Sequence, residues 1–143
     1  MFLRLMPDQI PTFWDAIKVA AVRSNNVDKE FIPGYLRRLL CALISEKATC
    51  FVKLDDAKNL KAVHIVRITN NDILDNTTMI SDAIYSFSKL TLEEWKDNFS
   101  KLIDYAKSKG CKVILAWTDS DRVIEIGKSI GAEVISKTLM LKL

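Results

Sequence analysis

The chain is short of the residues that most often carry chemistry. Its 143 residues hold one histidine, His64, three cysteines, Cys41, Cys50 and Cys111, and four glycines, Gly34, Gly110, Gly127 and Gly131. A single histidine excludes a His-based metal cluster, and its spacing implies no acidic partner for a Ser-His-Asp arrangement. The cysteines are odd in number and form no C-x-x-C pair. That excludes a disulfide scaffold and points to reduced thiols in a cytosol-like compartment. No apolar run approaches the roughly 18 residues that span a bilayer. Met1–Pro7 is too short and too soon interrupted to read as a signal peptide. The expectation is a soluble protein with no membrane partner.

What is present is ordinary for a globular chain: 49% hydrophobic and 27% charged residues. The length suits one domain, 1–143, able to bury roughly two thirds of its unfolded surface. The net charge of +3 comes from 21 basic and 18 acidic residues. Fifteen of the cations are lysines spread along the whole chain. Arg37-Arg38 is the one tight basic pair and reads as a solvated helix face. There is no clustered basic stripe with interleaved aromatics, so nucleic acid is not an expected partner.

The apolar period predicts a helix over 12–24, with Phe13, Ile17, Ala20 and Ala21 on one face, and a second over 33–46. After Thr49 the period shortens. Strands are expected over 50–54, 60–69 and 78–87, joined by turns at 55–59 and 70–76. The clearest helix is 92–109, opened by a Thr91/Glu94 capping box, acidic early, basic late, and closed by Gly110. A buried strand over 112–117, a short helix over 122–130 and a last strand over 133–143 complete the order α α β β β α β α β. Three strands joined by short loops form an antiparallel meander, and the long helix returns the next strand parallel. The expected fold is α/β, a single mixed, mostly antiparallel sheet with helices on both faces.

That order, and the stretch WKDNFSKLIDYAKSKGCKVILAWTDSDRVIEIGKSIGAEV, resembles the GCN5-related N-acetyltransferase (GNAT) superfamily. Lys109-Gly110-Cys111 and Ile130-Gly131-Ala132 fall where that family ends its two C-terminal helices. The likeness covers residues 50–143. The chain is also similar, more loosely, to small GNAT-like proteins of tailed bacteriophages, several of which travel with virion genes. The resemblance implies an acyl-CoA-dependent fold, but two stretches depart from it. The family's pyrophosphate loop, Q/R-x-x-G-x-G/A, offers free backbone N–H groups at a helix N-terminus. Here Ser86-Phe87-Ser88-Lys89-Leu90-Thr91-Leu92-Glu93-Glu94 has no glycine, and two carboxylates stand where phosphate would sit. The tyrosine that serves many members as acid toward the CoA thiolate corresponds to Gly127.

Two readings follow. In the first, the domain is a degenerate GNAT-like module without catalysis or cofactor. Its role is structural or interactive, with a protein partner or a second copy, and the looser resemblance implies a phage-encoded protein, in the host cytoplasm or a virion. In the second, it is an acetyl-CoA-dependent N-acyltransferase. Asp82 or His64 would then deprotonate the amine, backbone amides near Tyr85, Ser86 and Phe87 would hold the thioester, and Lys89 would hold phosphate. No metal is expected in either. His64 otherwise reads as a half-buried strand residue with a hydrogen bond, Cys41 and Cys111 as core thiols, and Trp95 and Trp117 as core packing. The first reading is favoured, because a fold alone does not carry function.

Overall fold

A computed structural model describes the whole chain, residues 1–143. Apolar residues three and four apart build α1 (Ile10–Asn25), which buries Ile10, Ile17, Ala20 and Ala21. Asn26 ends it at φ 48°, a left-handed position that asparagine tolerates better than most residues. Pro33 sits in the first turn of α2 (Ile32–Ile44), which buries Leu39 and Leu43.

The sheet follows where the period shortens. β2 (Thr49–Leu54), β3 (Leu60–Asn71) and β4 (Asn76–Ser86) form the antiparallel meander. The β3–β4 turn is tighter than the sequence suggested, because Asn71 and Asn76 still pair with each other. α3 (Leu92–Ser108) then crosses over, and β5 (Val113–Ala116) returns parallel to β4. α4 (Asp121–Ser129) follows, with the Ser120 hydroxyl accepting from the Val123 N–H. Two layers cover the sheet. α1 and α2 pack on Cys50, Val52, Val63, Ile65 and Ala83. On the other face Leu102 and Ala106 of α3 meet Phe51, Val66 and Met79, and Trp95 meets Ala62, Leu90 and Ile126. β3 is central, and Ala62 to Val66 are buried on both faces, with Val63, Ile65 and Val66 supplying apolar side chains to both.

Four expectations need correction. A strand precedes α1: β1 (Phe2–Arg4) pairs antiparallel with β2, so the sheet order is β1-β2-β3-β4-β5. Three residues before a proline are too few for a period to register. The last strand over 133–143 does not form; those residues join no ladder. β5 is consequently an edge strand and half exposed rather than buried, and Trp117 beyond it is 59% exposed. Cys41 points to solvent on the outer face of α2, whereas Cys111 is buried as expected.

His64 departs from expectation as well. It is completely buried, ringed by Phe2, Trp95 and Phe99 with centroids at 5.6–5.7 Å, and neither ring nitrogen has a hydrogen-bond partner. Asn98 of α3, also fully buried, has an unpartnered amide. Burial pushes the imidazole down to about 4, so it is neutral at pH 7.

Candidate functional site

β4 and β5 pair only from Thr78–Val113 to Ser81–Ala116. Past that point β4 runs on to Ser86 with no strand on that side, and the two elements diverge. A bulge marks the place. Ile65 stands opposite Ala83 and Val66 opposite Ser81, which leaves Asp82 as the extra residue. Bulges bend a strand and open its ladder locally. The space so made is a cleft of about 370 Å³. Its walls are Ser81–Ser86 of β4, the end of α1, Trp95 of α3, and the loop from Trp117 into α4.

The open edge of β4 is the natural place for an extended ligand to pair. The Phe87 N–H donates to the Lys61 carbonyl at 2.8 Å, so by strand alternation Ser86 and Ile84 turn their polar backbone groups to the open side. Ile84 is already occupied. Its N–H donates to the Ser24 hydroxyl oxygen at 3.0 Å, and that hydroxyl donates to the Ile84 carbonyl at 3.2 Å. One serine of α1 thus takes the position of a strand partner. Two neighbours hold it there. Arg23 donates to the Tyr85 hydroxyl at 2.9 Å, and Asn26 donates to the Asp119 carboxylate at 3.1 Å, across the mouth of the cleft. The Ser24→Ala substitution leaves the Ile84 groups without these partners and should cost about 1 kcal/mol in urea unfolding. No measurable change would mean that water replaces the hydroxyl fully.

The residues singled out in the sequence are not brought together. Asp82 lines the cleft, but both of its oxygens are taken by Arg67, Nε on Oδ2 and Nη2 on Oδ1 at 3.0 Å. Asp82 in turn raises the Arg67 guanidinium further. This is the bidentate pairing that a planar guanidinium makes with a carboxylate, and it occupies both oxygens. His64 lies outside the cleft wall, in the aromatic cluster against α3. Tyr85 and Ser86 line the cleft, whereas Phe87 and Lys89 do not. Phe87 packs edge-on against Tyr85 at 5.0 Å.

The start of α3, where the family resemblance leads one to look for a phosphate, is capped by its own side chains. The Thr91 hydroxyl accepts from the Glu94 N–H at 3.1 Å, and the Glu94 carboxylate accepts from the Thr91 N–H at 2.8 Å. Lys61 adds an ion pair to Glu94 at 2.7 Å, and with the Thr91 bond it holds that carboxyl below the usual range. Glu94 is therefore ionised at neutral pH and held in an ion pair with Lys61. Gly127 lies in the second half of α4, away from the cleft wall; a Cβ there would meet only Ala132, at ordinary contact distance. No group of three His, Cys, Asp or Glu side chains comes together.

Sequence reading missed Ser24, Asn26 and Asp119. Ser24 reads as the last residue of the helix over 12–24, and a helix end does not say that its serine will reach a strand 60 residues away. Trp117 was assigned to the core and instead forms part of the cleft mouth.

No protein-family model and no curated protein sequence matches the chain. Solved structures do. An aminoglycoside acetyltransferase from an uncultured soil metagenomic sample superposes with a TM-score of 0.75 at 14% identity, covering 100% of this chain and 97% of its own. A ribosomal-protein-alanine N-acetyltransferase from Brucella melitensis gives 0.71 at 14%, covering 100% and 99%. A "predicted acetyltransferase with acetyl-CoA" from Clostridium acetobutylicum gives 0.75 at 10%, covering 99% and 95%. At such identities the likeness is one of fold. The chain has the acetyltransferase fold of the GNAT type from end to end.

Proposed function

We propose that this is a GNAT-fold domain without acyltransferase activity, acting as a structural or protein-interaction module. The observation that carries the reading is the Ser24–Ile84 pair of hydrogen bonds, which fills the exposed edge of β4. The self-capped start of α3, with an ionised Glu94 and no glycine before it, supports it independently. Lys61 offsets the charge of Glu94, and the exposed Glu93 repels a pyrophosphate a few ångströms away by about 1 kcal/mol in water-like dielectric. Of the two bases the sequence suggested, the Asp82 carboxylate is engaged by Arg67 and the His64 ring is sequestered away from the cleft. The looser likeness to GNAT-like proteins that travel with virion genes of tailed phages favours a role in assembly.

One observation favours the other reading. The cleft is open and of ligand size, and a structural neighbour was solved with acetyl-CoA. The two readings separate in one experiment. Calorimetric titration with acetyl-CoA and with CoA should show no binding heat up to millimolar ligand. Micromolar binding followed by CoA release with any primary amine would establish a working N-acyltransferase.

A further inference from the structure

The one tight basic pair in the sequence, Arg37-Arg38, lies on the side of α2 turned away from the sheet. Leu39 and Leu43 are buried beneath it, whereas Arg37, Arg38, Cys41 and Ser45 are exposed. Residues four apart stack into rows along a helix, so Arg37, Cys41 and Ser45 form one row and Arg38 and Ala42 the next. The end of α2 supplies a third side. Glu46 at φ 61° reverses the chain, and the Ala48 N–H donates to the Ala42 carbonyl at 3.0 Å, which returns Lys47 to the flank of Ala42. These residues line an open groove of about 310 Å³.

The groove holds three cations and no carboxylate. Neither Arg37, Arg38 nor Lys47 makes an ion pair. Glu46, the one acid of this turn, pairs with Arg4 at 3.5 Å and does not line the groove. Gly34 leaves room for the Arg38 guanidinium one turn back, since a Cβ there would stand 3.2 Å from Nη1. A helix C-terminus ordinarily repels anions through its free carbonyls. Here the Cys41, Leu43 and Ala42 carbonyls accept from the Ser45, Glu46 and Ala48 N–H groups at 3.0, 3.3 and 3.0 Å. Three neighbouring cations without an acid repel one another, and an anion placed among them relieves that repulsion.

We propose that this groove binds a small anion carrying two or three linked phosphoryl groups. The planar fork of arginine and the point charge of lysine both suit phosphate oxygens. Arg38 and Ala42, which Lys47 flanks, stand about 6 Å apart along the helix axis. Linked phosphates span that distance, whereas a single phosphate reaches only one end of it. None of the groove's residues lines the cleft beside β4, so the inference stands whether or not the cleft binds acyl-CoA.

Cys41 reports on the groove from within, because Cys50 and Cys111 are buried. Its reaction with the neutral disulfide dithiodipyridine is followed in the full chain while tripolyphosphate is added at constant ionic strength. Tripolyphosphate should slow the reaction saturably, with half the effect below ~1 mM. The double substitution Arg37→Gln, Arg38→Gln should raise that concentration about tenfold or more, through the loss of charged hydrogen bonds. Both side chains are exposed, so the urea midpoint should stay where it is. No protection at ~10 mM tripolyphosphate would overturn the site. Protection indifferent to the glutamine substitutions, or given by a single-stranded oligonucleotide but not by tripolyphosphate, would overturn it as well.

Discussion

Lowering the pH from 7 to 5 should remove about 2 kcal/mol of stability through His64 alone, and about 3 kcal/mol in full below pH 4. The unfolded imidazole takes up a proton near 6.5, and the folded one only near 4. Below 6.5 the unfolded state therefore binds more protons, so stability present above that pH is lost as the pH falls toward 4. The cause is burial alone. No carboxylate faces the ring, and its neighbours Phe2, Trp95 and Phe99 offer nothing to an imidazolium. The carboxylates whose folded values are lowered, Asp15, Asp55 and Glu94, add their loss only on the acid side of 4.5. The Met1 amino group, lowered from 8.0, also loses stability as the pH falls, so the difference between the natural chain and His64→Leu is what isolates the histidine. Urea unfolding from pH 6.5 to 5 should slope for the natural chain and slope less for His64→Leu. Parallel slopes would mean that the ring is wetter than its burial implies.

Trp95→Ala should cost about 3–5 kcal/mol, the range for emptying the place of a large aromatic in a core. The indole is 5% exposed and joins α3 to the sheet through His64, to Phe99 at 6.0 Å, and to α4 through Ile126. Its first neighbours are thus contributed by three elements, and the site has little freedom to collapse. Trp95→Phe keeps a ring in the same place and should retain most of the stability. Urea midpoints at pH 7 decide the matter. A loss under 1 kcal/mol from the alanine variant would mean that Trp95 is a cleft residue first and a core residue second.

The fold was readable wherever a period ran long enough. α3 declares itself by Trp95, Leu102 and Ala106 on one stripe, by the Thr91/Glu94 box, and by Gly110 at its end. β3 declares itself by an apolar run that fills both faces. β1 escaped because three residues carry no period. The 133–143 segment has the right alternation, but a strand also needs an edge to join, and these residues join none. The cleft was legible only in outline. The Thr91/Glu94 box at the start of α3 was legible from the sequence and forms as expected; whether the glycine-free stretch before it holds phosphate is what ligand titration decides. The Ser24–Ile84 contact joins residues 60 apart in sequence, and neither bears a mark of it. The bulge at Asp82 left no trace either, because one extra strand residue alters the register without altering the composition.

Backbone amide spectra during titration with acetyl-CoA test the central claim most directly. Ile84 and Ser86 carry the N–H groups on the open edge of β4, and Ser24 reports the serine that fills it. With Ser24 in place, none of the three signals should move as ligand rises to 1 mM, on the order of the weakest binding that would matter here. Saturable shifts at Ile84 and Ser86, together with a shift at Ser24, would show the serine displaced and the cleft working as an acyl-CoA site.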